Sequence, residues 1–334
     1  MIDKKSILIT GGTGSFGKAW VRYILKRYKN IKRLVIFSRD ELKQFEMQRE
    51  FSIKKYPCMR YFIGDIRDSE RLTIGLRDID FVIHAAALKQ VPTAEYNPIE
   101  TIKTNIIGAQ NLILASINNN VRKIVALSTD KACAPINLYG ATKLCSDKLF
   151  VSANNIVGKS HTRFSVVRYG NVFGSRGSVY NIFKSYNNKG FFPITDKRMT
   201  RFNITLNEAT SMVLKVLKKA EGGEIFVPKL KSFKITDLAK AINPKHRLKV
   251  TGIRPGEKIH EQMISSSDSF STVELDNFFA ILPQGNSKLI NNFKKKNKSK
   301  NVTTGFEYSS DKNGDFLSLI ELKKIIKEHE KKTI

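Results

Sequence analysis

The chain has 334 residues, enough for one large or two ordinary domains, and its 41% hydrophobic and 26% charged residues are typical of a soluble globular protein. No apolar run is long enough to cross a bilayer, the N-terminus lacks a signal-peptide pattern, and the three cysteines lack CxxC spacing, so we expect a cytoplasmic chain without membrane spans, disulfides or a metal site. The net charge of +28 leaves three partner classes open, namely nucleic acid, a membrane surface and an anionic small substrate.

The first element is an apolar strand, SILIT, that runs into the glycine-rich segment GGTGSFG and then an amphipathic helix, KAWVRYILKRY. This order predicts a dinucleotide site, with one glycine for a tight turn, one for close approach to the pyrophosphate and one for packing of helix on strand. The phosphates would lie on the helix N-terminus. The predicted cofactor contacts in this loop are Gly11, Thr13, Gly14, Ser15, Phe16 and Gly17.

The second strand, RLVIFS, ends about twenty residues farther on, where the adenosine ribose of a dinucleotide is read. Ser38, Arg39 and Lys43 stand there, and two cations near a 2′-phosphate favour NADP over NAD. Asp40 is the competing feature, and its alternative role is to cap the following helix.

The next two strands supply further predicted cofactor contacts. MRYFI leads to Asp65, a candidate partner for the adenine amino group, and to Ile66. FVIH leads to Ala85 and Ala86, whose small side chains let a cofactor lie against the backbone, and Asn105 lies in the helical stretch that follows.

The stretch STDKACAPINLYGATK, residues 128–143, follows the buried strand KIVAL and carries the residues that we expect to be catalytic. Ligands of open α/β sheets bind beyond the carboxyl ends of the strands, so Thr129, Asp130 and Lys131 would project into a crevice. Tyr139 and Lys143 are four residues apart and would share one face of the next helix.

The second half of the chain places arginines in loops that contain Gly or Pro, which suits a second anionic group such as a diphosphate because Arg grips phosphates in bidentate fashion. The lysines are spread along the chain, with one dense run at 294–300 and no zinc-finger or helix-turn-helix pattern, so nucleic-acid binding is disfavoured. The predicted substrate contacts are Lys89, Asn171, Arg176, Thr195, Arg201, Arg254 and Glu257.

Alternating strands and helices predict a doubly wound parallel Rossmann-type α/β sheet with a smaller C-terminal substrate-binding domain. We expect the dinucleotide-binding domain at 1–171, with 201–228 returning to it, and the substrate-binding region at 172–284. Residues 285–334 would be a basic extension with a peripheral helix.

GGTGSFG, YGATK and RPGEK together resemble the extended short-chain dehydrogenase/reductase family, and LSTDKACAPINLYGATK, VVRYGNVFGSRGSV and SRDELKQ resemble its inverting nucleotide-sugar 4,6-dehydratases. The resemblance extends to about residue 283. It implies UDP-N-acetylglucosamine as substrate, recycled NADP, a hexameric homo-oligomer, and a place in pseudaminic acid synthesis and flagellin glycosylation. Gln90, Ala134 and Asn203 depart from the family pattern, which questions substrate fit or oligomer contacts more than the reaction.

For this reaction, we interpret Tyr139 as the base for the C4 hydroxyl, with its pKa lowered by Lys143 and the nicotinamide charge. Lys131 would be the C5 base, with a pKa depressed by burial and by other cations, Asp130 the acid at C6, and Thr129 a hydrogen-bond partner near the C4 oxygen. Two alternatives stay open. A UDP-sugar 4-epimerase needs Tyr139 and Lys143 but no acid–base pair. A basic NADP-binding regulator or nucleic-acid module would need neither these two residues nor the pair Asp130 and Lys131.

Overall fold

A ten-stranded sheet forms the centre of the computed structural model, which describes residues 2–175, 177–285 and 287–331. The strands of the first half are β1 (Ser6–Thr10), β2 (Arg33–Ser38), β3 (Met59–Ile63), β4 (Phe81–His84), β5 (Lys123–Leu127) and β6 (Arg163–Val167). Those of the second half are β7 (Phe191–Ile194), β8 (Thr200–Phe202), β9 (Ile225–Pro228), β10 (Ser232–Lys234), β11 (Arg247–Val250), β12 (Gln262–Ile264), β13 (Thr272–Glu274), β14 (Phe278–Ile281), β15 (Lys300–Asn301) and β16 (Tyr308–Ser309).

Helices cover both faces of the sheet. They are α1 (Ser15–Arg27), α2 (Glu41–Glu50), α3 (Ser69–Gly75), α4 (Val91–Tyr96), α5 (Pro98–Ile102), α6 (Gly108–Asn118), α7 (Leu138–Ser152), α8 (Val179–Ser185), α9 (Leu206–Lys219), α10 (Ile235–Ile242), α11 (Ser287–Asn297) and α12 (Leu319–Lys331).

The sheet order is β15-β13-β14-β9-β6-β5-β4-β1-β2-β3. The neighbouring strands β3, β2, β1, β4, β5, β6 and β9 run parallel to one another. Strands β14, β13 and β15 continue the sheet with antiparallel pairing. The parallel strands are short apolar runs buried on both faces, as a sheet covered by helices requires. The predicted doubly wound Rossmann-type fold is confirmed.

The strand order reverses between β1 and β4, so the loops after these two strands diverge and leave a crevice at the carboxyl ends. The loops after β1, β4, β5 and β6 all open on this edge of the sheet. Ser38 ends a parallel strand of the main sheet and Asp65, Ala85, Thr129 and Asp130 follow such strands, so these residues lie at this edge.

A separate small core underlies the substrate-binding region. Phe183, Phe192 and Leu238 are fully buried in it, and they come from α8, β7 and α10. Leu322 of α12 is buried in the same core, since α12 packs against α10. The C-terminal helix therefore completes the core of this region.

The C-terminal segment also contributes strands. β15 pairs with β13 at the edge of the main sheet, and β16 pairs with β12 in antiparallel fashion. The Tyr308 hydroxyl accepts a hydrogen bond from the Leu230 N–H and donates one to its carbonyl oxygen, at 2.7 and 3.0 Å. Residues 300–331 are thus tied into the fold at several points.

The stretch expected to form one helix around Asn105 is divided. Pro98 begins α5 directly after α4, and a π-helical turn at Lys103–Ile107 separates α5 from α6. Such turns occur frequently at functional sites. In the part of the chain that the structure describes, no helix has the length and apolar character that a membrane crossing needs.

Candidate active site

The glycine loop between β1 and α1 has the shape that a pyrophosphate requires. Gly11 has a φ of +62°, and a Cβ built on it would lie 2.9 Å from the backbone of Ala86. Gly14 is the N-cap of α1 and gives the helix no side-chain cap, so its first backbone N–H groups are open to an anion. The loop therefore fits a dinucleotide.

Gly17→Ala should destabilise the protein by about 3 kcal/mol, because added side chains in a tight site force backbone shifts. A Cβ on Gly17 would lie 2.2 Å from the carbonyl oxygen of Gly12, which belongs to the loop itself. Thermal unfolding and cofactor titration measure the effect, and Gly314→Ala, where a Cβ meets nothing within 4 Å, is the control. An unchanged melting temperature in both variants would contradict the packing role of Gly17.

At the end of β2, the Thr13 and Ser38 hydroxyls share a hydrogen bond of 2.9 Å. Asp40 caps α2 through the Lys43 N–H at 2.9 Å, as predicted, and its carboxylate also binds the Lys43 ammonium. Lys43 is thereby engaged on its own helix. Arg39 is 55% exposed and is the cation that faces outward at this strand end.

Asp65 accepts two hydrogen bonds from the Arg67 guanidinium, at 2.7 and 3.1 Å. Arg39 is 3.6 Å from the same carboxylate. Burial pushes the pKa of Asp65 upward, but the hydrogen bonds and charge of Arg67, with that of Arg39, hold it below its usual value. Asp65 is therefore a fixed anion at the end of β3.

Asn105 clamps the loop after β4. Its side-chain amide donates to the Leu88 carbonyl oxygen at 2.9 Å and to the Thr142 hydroxyl at 3.0 Å, and its oxygen accepts from the Leu88 N–H at 2.9 Å. Because Thr142 belongs to α7, Asn105 links the loop after Ala85 and Ala86 to the helix that carries Tyr139.

Asp130 and Lys131 follow β5 in a 3₁₀ turn, Asp130–Ala132, which Thr129 caps. Asp130 is fully buried, and its Oδ1 accepts hydrogen bonds from the Thr129 hydroxyl at 2.9 Å and from Lys131 Nζ at 3.1 Å. Lys131 Nζ lies equally close, 3.1 Å, to Oε1 of Glu261, a residue that the sequence did not single out. Lys131 therefore sits between two carboxylates.

This arrangement sets the protonation of the Asp130–Lys131 pair. Burial and then the charge of Glu261 raise the pKa of Asp130. Burial would lower the pKa of Lys131, but the charges of Asp130 and Glu261 outweigh it and raise the pKa. The predicted depressed pKa of Lys131 is wrong, because its principal neighbours are carboxylates and not cations.

Tyr139 and Lys143 lie one turn apart on α7, both buried, as the spacing predicts. Lys143 Nζ donates to the Leu127 carbonyl oxygen at 2.8 Å. Burial raises the pKa of Tyr139 to about 12, and the opposing influences are the charge of Lys131 and a hydrogen bond with Thr129. Burial outweighs these influences, so the pKa of Tyr139 is not lowered in the protein alone, and the predicted effects of Lys143 and the nicotinamide charge stay predictions.

The segment 254–261 crosses the start of α7. The Asn137 side chain, which caps α7, donates to the Gly256 carbonyl oxygen at 2.8 Å, and Lys258 Nζ donates to the Cys133 carbonyl oxygen at 2.7 Å. The segment thus covers the catalytic stretch and brings Glu261 onto Lys131.

Of the predicted substrate contacts, Arg201 is buried and donates to the backbone oxygens of Thr200, Ile259 and Lys258. It therefore holds β8 against the segment 254–261. Arg254 pairs with Glu257 through two hydrogen bonds of 3.0 Å and is 65% exposed.

The remaining predicted contacts are spread around the crevice. Thr195 donates to Met199 Sδ after β7, while Asn171 and Lys89 are exposed in the loops after β6 and β4. Arg176 lies outside the described residues. Their binding of a substrate stays a prediction.

Glu261 is the residue that the sequence analysis missed. The available signal was a lone acidic residue directly ahead of the short apolar strand QMI, close to the RPGEK segment. That signal is weak, because its partner Lys131 is 130 residues away in sequence.

Residues 7–283 match the family described as "Polysaccharide biosynthesis protein". The Campylobacter jejuni protein "UDP-N-acetylglucosamine 4,6-dehydratase (inverting)" is 57% identical over 334 residues, which cover 98% of each chain. The chain belongs to this family. It is an enzyme of the hydro-lyase type, which confirms the prediction from the sequence.

Two further relatives are less similar in sequence to this enzyme. A Rickettsia akari protein named "UDP-glucose 4-epimerase" is 40% identical over 292 residues, 85% of each chain. The X-ray structure of Pen from Bacillus thuringiensis is 37% identical, with a TM-score of 0.88 and 99% of each chain covered. More distant dehydratases and epimerases of the same fold have been solved with NAD bound.

Ala134, one of the departures from the family pattern, has a φ of +43° beside the catalytic turn of the enzyme. A side chain with a Cβ is disfavoured there, and Asn or Gly adopts the left-handed region more readily. The departure at Ala134 therefore affects the strain of the backbone at this position. Among the described residues, no group of His, Cys, Asp and Glu side chains could hold a metal ion.

Ala134→Gly should stabilise the enzyme by about 0.5–1 kcal/mol, because it relieves this strain at an exposed position. Thermal unfolding should show a rise of about 2 °C. Ala141→Gly, at an exposed position of α7, is the matched control and should destabilise by about 1 kcal/mol. A fall in the melting temperature of Ala134→Gly would contradict the strain.

Proposed function

We propose that the enzyme dehydrates UDP-N-acetylglucosamine across C5 and C6 by way of a C4 ketone, with inversion at C5, giving UDP-2-acetamido-2,6-dideoxy-β-L-arabino-hex-4-ulose. The observation that carries the proposal is the adjacent Asp130–Lys131 pair at the carboxyl end of β5, beside Tyr139. The curated Campylobacter jejuni relative of that name supports the substrate.

Tyr139 begins the reaction by taking the proton of the C4 hydroxyl as C4 loses a hydride and becomes a ketone. The charge of Lys131 favours the phenolate that this step needs, in opposition to the burial that raises the pKa of Tyr139. When bound, a nicotinamide dinucleotide accepts the hydride from C4 and supplies it to C6.

The C4 ketone acidifies the C5–H bond, and Lys131 takes that proton. The electron pair of the C5–H bond forms a double bond between C5 and C6, and the C6–O bond breaks. Asp130 gives a proton to the departing hydroxyl, which leaves as water. The raised pKa of Asp130 suits a carboxyl group that must hold a proton until this step.

The elimination needs Lys131 as a neutral amine and Asp130 as a carboxylic acid. The two residues can reach these states by sharing one proton, because Asp130 Oδ1 is 3.1 Å from Lys131 Nζ. Transfer of that proton from the ammonium to the carboxylate yields an amine base and a carboxylic acid together. After water leaves, Lys131 returns a proton to C5 on the opposite face while C6 receives the hydride, and the configuration at C5 is inverted.

The second candidate is a UDP-sugar 4-epimerase, since the Rickettsia akari relative carries that name. An epimerase needs Tyr139 and Lys143 but has no use for a buried acid–base pair. Burying Asp130 and Glu261 around one lysine costs free energy of desolvation. The presence of this cluster therefore favours the dehydratase.

NADP is the proposed cofactor, because exposed Arg39 at the end of β2 can meet a 2′-phosphate. A homo-oligomer, hexameric by resemblance, is proposed because Tyr96, Ile99 and Ile107 are 88%, 59% and 42% exposed next to the catalytic helix. We place the enzyme in the cytoplasm, with pseudaminic acid synthesis for flagellin glycosylation as its pathway.

The test is incubation of the enzyme with NADP and UDP-N-acetylglucosamine in deuterated water, followed by NMR of the product. The proposal expects a 4-keto-6-deoxy sugar nucleotide with deuterium at an inverted C5. A galacto-configured product that retains all its oxygen atoms would establish the epimerase instead.

A further inference from the structure

Glu261 is a buried carboxylate that the reaction as described so far does not use. It is 2% exposed, and its Oε1 lies 3.1 Å from Lys131 Nζ. Its Oε2 is buried and has no hydrogen-bond partner among the residues that the structure describes. Such a group is expensive to bury, so its place beside Lys131 calls for a role.

The backbone of Glu261 is fixed by the C-terminal segment. Its N–H donates to the Ser310 hydroxyl at 2.9 Å, and its carbonyl oxygen accepts from the Ser310 N–H at 2.8 Å. The Ser310 hydroxyl in turn lies 2.7 Å from that of Thr200 in β8. Glu261 is therefore held by three separate segments of chain.

Four charged groups face the Glu261 carboxylate. Lys131 and Asp130 come from the turn after β5, Arg201 from β8 with its Nε 3.6 Å from Oε1, and Lys258 from the segment that precedes β12. Lys131 is the nearest of them, so the charge of Glu261 acts first on the ammonium of Lys131.

We propose that Glu261 is a positioning residue for the elimination, holding the Lys131 amine beside Asp130 and stabilising the ammonium that forms when Lys131 takes the C5 proton. The inference rests on the proposed function. The carboxylate neither gains nor loses a proton in the step, because the C5 proton passes to Lys131 and the Asp130 proton leaves with water.

The role of Glu261 parallels that of the aspartate in a Ser-His-Asp triad, which orients the histidine and stabilises its cation. When Lys131 holds the C5 proton and Asp130 has not yet released its own, the pair carries a net positive charge. Glu261 neutralises that charge. The stabilisation is large because the site is buried.

The variants Glu261→Gln and Glu261→Asp test the proposal in the full-length enzyme with NADP. Glu261→Gln should lower kcat for dehydration on the order of 100-fold, within the range of acid–base contributions, with little change in KM. Hydride transfer from C4, seen as reduction of the nicotinamide in a single turnover, should stay close to the wild-type rate. Glu261→Asp should restore part of the lost kcat.

The pH profile of kcat separates charge from structure. A negative charge favours the protonated forms of Lys131 and Asp130, so its removal lowers both pKa values. Both limbs of the profile should therefore move to lower pH in Glu261→Gln. Glu224→Gln, which removes another buried carboxylate far from the site, is the control and should leave the profile in place.

A readout without turnover is the pH dependence of Lys131 acetylation, followed by peptide mass spectrometry. Its midpoint should fall in Glu261→Gln, whichever sugar the enzyme accepts. An unchanged midpoint, an unmoved pH profile, or a parallel loss of hydride transfer would overturn the role of Glu261. If the wild-type enzyme releases no water from UDP-N-acetylglucosamine, the proposed function fails, while the acetylation midpoint still decides whether Glu261 controls Lys131.

Discussion

Lys131→Met should abolish dehydration, lowering kcat by about 10³-fold, because it removes the group that we propose takes the C5 proton and returns it. Reduction of the nicotinamide by the substrate should persist but become slower, because Tyr139 remains while the charge of Lys131 that favours its phenolate is lost. Solvent deuterium should no longer enter C5. NMR of the products in deuterated water and single-turnover absorbance of the nicotinamide measure these two steps separately.

The substitution leaves Asp130 and Glu261 buried without their cation, and breaking such a cluster can cost about 3–5 kcal/mol of stability. Lys131→Arg keeps the positive charge but cannot act as a base, so it tests the chemistry in a folded protein. Lys103→Met, at an exposed lysine paired with Glu100, is the control. Dehydration by Lys131→Arg within tenfold of wild type would rule out Lys131 as the base.

Tyr139→Phe should stop the reaction earlier, lowering kcat by about 10³-fold, because no other group accepts the C4 hydroxyl proton. Neither reduced nicotinamide nor a C4 ketone should form. This pattern differs from that of Lys131→Met, in which the first step survives. The contrast between the two variants assigns the two proton transfers to different residues.

Removing the Tyr139 hydroxyl should cost little stability, because the ring keeps its packing on α7. The control is Tyr96→Phe, where the ring is 88% exposed and has no part in the proposed proton transfers. Tyr139→Phe that still reduced the nicotinamide at the wild-type rate would assign the first proton transfer elsewhere.

The parallel half of the fold could be predicted from the sequence because each strand is a short apolar run followed by a turn signal. The stretches SILITGG, RLVIFSRDELK and DFVIHAAALK, in which we expected strands, contain β1, β2 and β4. The antiparallel strands β13, β14 and β15 are two to four residues long, and their pairing depends on contacts between distant segments. No local pattern could identify them.

In the candidate site, too, local sequence patterns placed some residues and gave no information about contacts between distant segments. Tyr139 and Lys143 could be placed from their helical spacing, and Asp130 and Lys131 from the end of a strand. The pKa of Lys131 was mispredicted because the carboxylate of Glu261, which adds to that of Asp130 in raising it, lies just before β12 and 130 residues later in the chain. Electrostatics depend on tertiary neighbours, which spacing does not reveal.

The pairing of β16 with β12 has a consequence for biosynthesis. Ser310 holds the backbone of Glu261, so the cluster of Asp130, Lys131 and Glu261 is complete only when the chain through Ser310 has left the ribosome. The dinucleotide-binding strands are made first and can fold first, since chains fold from the N-terminus during translation. A nascent chain would thus be able to hold its cofactor well before it could eliminate water.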